Sequence, residues 1–258
     1  MPKATTQLND IPRSHFPTTE GYLTGVTRNK YIAHAVSQGL LPENAHRMPA
    51  VLSLSAPSEI SKPIQFWQLY SVVGQEPIVS IVSEFYQRVF ADEEWFRSVF
   101  ERVGGLNHHI NTQASMWIDV MGGGPYYHGA EFRLNFHHSH NAHQLMNADG
   151  AKRWVALMVN TLDDNAYLRT ADPRIRRSIN TFLAYFFQKY ASDFNFENNE
   201  TFGDTNPPLI QKINFMNMTE EAISALSTDE LKIALEGRGI DVSALQTKDE
   251  MVKKALAL

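Results

Sequence analysis

No cysteine occurs in the 258 residues of this chain, so disulfides, thiolate metal sites and a cysteine nucleophile are all excluded. Long apolar runs are missing too. Nothing approaches the roughly 20 consecutive apolar residues that a membrane-spanning helix needs, and the first thirty residues hold no signal-peptide core. Positive charge is not in surplus. Lys and Arg total 23 against 28 Asp and Glu, a formal net charge of −5, which removes any global basic field for nucleic acid or an acidic membrane surface. The missing thiols suit a reducing compartment, so the expected location is cytoplasmic or nuclear. The Thr-rich, acid-poor start reads as a disordered leader and leaves organellar targeting open.

Aromatic residues and histidine are abundant. The chain has 15 Phe, 9 Tyr and 4 Trp, enough to line a bulky, flat pocket. Four of its 10 histidines crowd into HHSHNAHQ, at His137, His138, His140 and His143. Imidazole is the commonest protein metal ligand. His137–His140 and His140–His143 are each three apart and can share a helix face, yet no HExxH or ExxH motif accompanies them. Three readings of the run stand: a polydentate zinc site, a polar loop at a helix start, or one axial ligand facing an apolar pocket and a flat cofactor.

Four zones divide the chain. Residues 1–61 are Pro-punctuated and lack sustained periodicity, with one short helix expected near YIAHAVSQGLL. Residues 62–192 carry strong helical patterns, 193–216 are Asn-rich with a Pro-Pro pair and read as a linker, and 217–258 form a charged helical module. In the second zone, PIVSIVSEFYQRVF (77–90) puts Ile78, Val82, Phe85, Tyr86, Val89 and Phe90 on one face. INTQASMWIDVM (110–121) stops at GGGP. NADGAKRWVALMVNTL (147–162) has Asn147 as its cap, with Trp154, Leu157, Met158 and Leu162 on its apolar side. ADPRIRRSINTFLAYFFQKY (171–190) opens on Asp172 before Pro173, then lines up Ile175, Ile179, Phe182, Phe186 and Tyr190. No strand pattern competes, so the zone is predicted all-α.

Four ordered segments carry a family resemblance: KPIQFWQLYSVVGQEP (62–77), EFYQRVFADEEWFRSVF (84–100), MGGGPYY (121–127) and KRWVALMVNTLDD (152–164). Together they resemble a truncated (2-on-2) haemoglobin of group II, closest to the plant type. The fold this implies is a 2-on-2 helical sandwich over residues 62–192, with an N-terminal extension and a small helical C-terminal module. The cofactor it implies is haem b.

Site residues follow from the resemblance one at a time. Counting forward from Gly122–Gly123 by the family's spacing puts the proximal iron ligand at His140. Counting back from Trp154 lands on Asn141, so one residue is inserted between His140 and Trp154, with His143 and His138 as the alternatives. Tyr86 matches the distal tyrosine of the second family helix, and Gln113 the distal polar position. Phe100 matches the aromatic that packs on the haem, Trp154 the tryptophan near the bound ligand, and Tyr127 a tyrosine near a propionate. Each of these aromatics is also a natural core residue. His109, one turn before Gln113, stands where relatives carry a small residue. It is open to three roles: gating ligand entry, ligating iron, or facing solvent. Ser139 stands where relatives often place an arginine.

The resemblance implies reversible binding of a diatomic ligand, O2 or NO, at the iron. NO dioxygenation or peroxidase-type chemistry would draw on a separate reductase. LSTDELKIALEGRGIDVSALQTKDEMVKKAL (226–256) is similar to a SAP module, with capping-box spacing at Ser227/Glu230 and Thr247/Glu250. Such modules are associated with DNA, but residues 219–258 hold five basic side chains against eight acidic ones, which favours weak DNA contact or a protein partner. Two other functions stand beside the globin reading. One is a haem-based sensor or adaptor acting through the tail. The other is a zinc-binding or cofactor-free helical domain.

Overall fold

The computed structural model describes residues 19–207, 213 and 215–258. Residues 1–18 of the leader expected over the first thirty residues, and part of the 193–216 linker, lie outside them. The described residues are helical, with no strand among them. The chain divides into two compact units, one reaching residue 208 and the other beginning at 209. The first unit holds α1 (Tyr22–Ser37), the one-turn α2 (Pro49–Leu52) and α3 (Tyr70–Val73), then α4 (Gln75–Phe90), α5 (Glu94–Val103) and α6 (Leu106–Val120). It continues with α7 (Ala130–Phe136), α8 (Ala148–Asp164), the short α9 (Ala166–Thr170) and α10 (Pro173–Phe194). The second unit holds α11 (Glu220–Ala225), α12 (Thr228–Glu236) and α13 (Lys248–Leu256).

Packing holds α4 more than propensity does, because Val, Ile, Phe and Tyr are mediocre helix formers. Ile78, Ile81, Val82, Phe85, Tyr86 and Val89 are buried along one stripe, and each large apolar side chain contributes about 1.5–3 kcal/mol on full burial. The stripe packs against both α6 and α8. Rings from α10 complete the core: Phe182 meets Trp117 of α6 at 5.2 Å, and Phe187 meets Trp154 of α8 at 4.9 Å. Helices α4, α6, α8 and α10 thus enclose one interior.

Local chemistry sets the helix ends where the sequence places them. The Asn147 side chain accepts from the Gly150 amide at 2.9 Å, and Asp172 accepts from the Arg174 amide at 2.9 Å with Pro173 in the first helical position. The GGGP stop after α6 needs glycine at 122. Its φ is +91°, and a Cβ there would lie 2.2 Å from the Trp67 carbonyl oxygen.

Two segments differ from the sequence reading. Residues 22–30, read as leader, are the first half of α1. No local periodicity announces this helix, because its anchor is 95 residues away. Asp119 of α6 is fully buried and accepts from the Thr24 amide at 3.0 Å, at the N-terminus of α1, and from the Thr24 hydroxyl. A carboxylate borrowed from another helix therefore satisfies one of the orphan amides of α1. Tyr31 then packs among Phe66, Trp67 and Tyr185. Within the stretch read as a linker, residues 195–207 are docked on the first unit. The Asn206 amide donates to Thr181 at 2.8 Å, Asn180 donates to the Asp204 carbonyl at 2.9 Å, and Phe202 is buried against Phe187 and Trp154.

The second unit has its own core of Phe215, Ile223, Leu231, Leu235, Val242 and Met251. Both anticipated capping boxes form, Ser227 with Glu230 and Thr247 with Glu250.

Candidate functional site

The interior of the first unit opens into a cavity lined by α4, α5, α6, α8, α10 and the turn after α7. It holds about 120 Å³ of interior space, and about 870 Å³ of free space when its open mouth is counted. Its lining is chiefly apolar and aromatic, with a few polar groups on facing walls, the usual composition of a cofactor pocket.

Tyr86, Gln113, Phe100 and Trp154, four of the expected site residues, all line this cavity. Tyr86 comes from the buried stripe of α4 and is 6% exposed. Burial pushes its hydroxyl pKa far above the ordinary tyrosine value, so the group stays protonated and able to donate. Phe85 braces it edge-on at 5.1 Å and also touches Trp154 at 4.6 Å. Next to Trp154, Arg153 makes a two-pronged ion pair with Asp92, tying α8 to the turn after α4. That pairing holds the Asp92 carboxyl below the usual carboxylate range. Sequence reasoning missed Met116, Trp117 and Phe96 on the same walls.

His109 does not line the cavity. It lies behind the wall, 4% exposed, with Nε2–H donating to the Phe100 carbonyl at 2.8 Å. It is buried rather than facing solvent, and its Nε2 is taken by the Phe100 carbonyl rather than free to ligate iron. Tyr127 is also away from the cavity. Its ring packs against Gly129, where an added Cβ would meet it at 2.4 Å.

The histidine run resolves into different fates. Beyond α7 the backbone widens: the Ala142 amide bonds the His137 carbonyl five residues back, a π-type turn that adds a residue without breaking the helix. Leu134 is buried on the cavity wall, and residues three and four further on share its face. Those residues are His137 and His138, and both line the cavity. His138 donates from Nδ1 to the Leu134 carbonyl at 2.9 Å and lies 4.2 Å from the Tyr190 ring. Burial first, and then neighbouring His137, drive its pKa down to about 3, so its imidazole is neutral.

His140, the residue favoured by spacing, is exposed. It donates from Nδ1 to the Phe136 carbonyl at 3.1 Å and stacks on the Phe136 ring at 4.1 Å, off the cavity wall. His143 is exposed as well, 6.1 Å from Phe194. The counting argument put the extra residue after His140, whereas the wide turn begins at His137, and that rotates His140 outward. Among the described residues no group of three or more His, Asp or Glu is arranged to hold a metal ion, so the four histidines do not form a polydentate nest.

The donor set can be tested against a flat iron cofactor. A neutral imidazole with Nδ1 already bonded to a carbonyl leaves Nε2 as the free ligating nitrogen, the pattern that fixes tautomer and ring orientation in metal-binding histidines. Tyr86 and Gln113, which can donate hydrogen bonds, line the same cavity, and apolar rings make up most of the remainder. These residues fit haem in chemistry.

Residues 68–188 match the family model of the bacterial-like globins. The two-on-two hemoglobin-3 of Arabidopsis thaliana is 30% identical to this chain over 98 residues, 38% of this chain and 55% of that protein. The chain thus spans about half the length of the curated relative it matches. No solved structure matches. The helices that build the cavity, α4 to α8 and most of α10, therefore fall within the segment that carries the bacterial-like globin pattern.

Proposed function

We propose that the first unit is a haem-binding globin domain in which His138, rather than His140, holds the iron of haem b. One observation carries this reading: a single cavity is lined both by a neutral imidazole with a bonded Nδ1 and by a tyrosine whose hydroxyl burial keeps protonated. Haem, when bound, supplies an iron centre for a diatomic ligand such as O2 or NO. The Leu134 carbonyl and the Tyr190 ring fix the His138 imidazole. Tyr86, Gln113 and Trp154 offer O–H and N–H donors to a ligand carrying partial negative charge, and so slow its escape. Phe96, Phe100 and Met116 keep water from that side. Redox use of the site, such as oxidation of NO, draws electrons from a separate reductase.

The second unit is proposed as a protein-contact module. Arg238, one of the five cations of residues 219–258, donates to the Ile213 and Ala234 carbonyls and lies 4.7 Å over the Phe215 ring, a structural role that draws it away from phosphate.

Haemin titration of the full chain tests the main reading. The expected result is a Soret band that saturates at one haem per chain. A spectrum matching free haemin in the same buffer would contradict it.

A further inference from the structure

His109 does not touch the cavity, yet it holds two of the residues that do. Its ring lies nearly parallel to the Tyr86 ring, with centroids 5.2 Å apart and planes 22° apart. Phe100 meets it edge-on at 5.6 Å, and Phe90 packs on it at 5.6 Å. Its Nε2–H donates to the Phe100 carbonyl at 2.8 Å, which also receives the Gly104 amide at 3.2 Å. That carbonyl, in the last turn of α5, thus accepts two bonds, and His109 ties α6 to the end of α5 while it backs Tyr86.

We infer that His109 is a positioning residue that fixes the Tyr86 ring, and with it the direction of the Tyr86 hydroxyl into the cavity. A phenol oxygen lies on the χ2 axis, so a ring flip leaves it in place, and it is χ1 that swings the hydroxyl. A flat neighbour on one face, with Phe85 against another side at 5.1 Å, restricts that torsion. The Phe100 bond keeps the imidazole from turning away, because a buried ring N–H stripped of its acceptor is costly. The value of this placement for ligand binding rests on the haem reading; the placement itself is a property of the protein chain alone.

Three variants separate the contacts. His109→Phe keeps the stack and loses the carbonyl bond. His109→Gln keeps a donor and loses the stack. His109→Ala loses both. In the haem-free full chain, the Hα–Hβ scalar couplings of Tyr86 are expected to report one χ1 rotamer in the wild type and in His109→Phe, and an averaged χ1 in His109→Ala. His109→Gln, which retains a donor for α5 should the alanine variant fail to fold, is expected to average it too. One and the same fixed χ1 in the wild type and the folded stack-less variants would overturn the inference.

In the haem-loaded protein with CO as probe, His109→Ala should displace the C–O stretching band in the direction that Tyr86→Phe does. The double variant should move it no further than Tyr86→Phe alone. O2 should leave the His109→Ala protein about fivefold faster, the worth of one modest hydrogen bond. A band shift from His109→Ala that persists in full on the Tyr86→Phe background would also overturn it. Failure of the wild type to bind haem would instead sink the haem reading, and the χ1 comparison would still decide the role of His109.

Discussion

On the Tyr86 side of the cavity, every ring leans on another ring or on a bonded neighbour. Phe85, Tyr86, Phe100 and His109 are all under 10% exposed, and Arg153 with Asp92 pins the adjoining backbone. On the His138 side the chain is looser. Phe132 is 79% exposed, Phe136 is 46% exposed with His140 stacked outside it, and the backbone passes through a π-type turn. Leu134 and the His138 bond tie this side inward, but its outer rings lie in solvent, so local opening costs less there than at the Tyr86 wall.

The largest test of this contrast compares phenylalanines on the two walls. Phe85→Ala should cost about 3–5 kcal/mol of unfolding free energy, as expected for a fully buried ring. Phe132→Ala should change it by no more than about 0.5 kcal/mol. Urea denaturation of the haem-free chain measures both, and similar losses at the two positions would erase the distinction between the walls.

A smaller effect concerns pH. Burial lowers the His109 pKa in the folded protein. Below about pH 6.5 the unfolded chain binds a proton at this residue and the folded chain does not, so wild-type stability falls as pH drops from there toward the folded pKa. The slope from this one group is at most about 1.4 kcal/mol per pH unit. His109→Phe removes that share. The stability difference between wild type and variant should therefore shift against the wild type as pH falls from 7 to 5, and a difference independent of pH would mean that His109 is not held neutral.

The sequence displayed the periodic helices well. Ile78, Val82, Phe85 and Val89 on α4, and Ile175, Ile179, Phe182 and Phe186 on α10, repeat at helical spacing because one face of each is buried. Asn147 and Asp172 revealed their caps for the same local reason. What stayed hidden depends on distance or register. The anchor of α1 is Asp119, which no window around Thr24 contains. The outward rotation of His140 comes from one wide turn, and motif counting assigns an extra residue to a segment without saying where the backbone absorbs it. A local signal was nonetheless present: from buried Leu134, steps of three and four lead to His137 and His138, never to His140.

The central claim is that His138 is the iron ligand, and absorption spectra of haem-loaded His138→Ala and His140→Ala test it most directly. The account predicts that His138→Ala loses the histidine-ligated spectrum and regains it on adding free imidazole, while His140→Ala keeps the wild-type spectrum throughout. Loss and imidazole rescue in His140→Ala, with a normal spectrum in His138→Ala, would contradict it and show that the 137–141 turn rewinds to bring His140 inward.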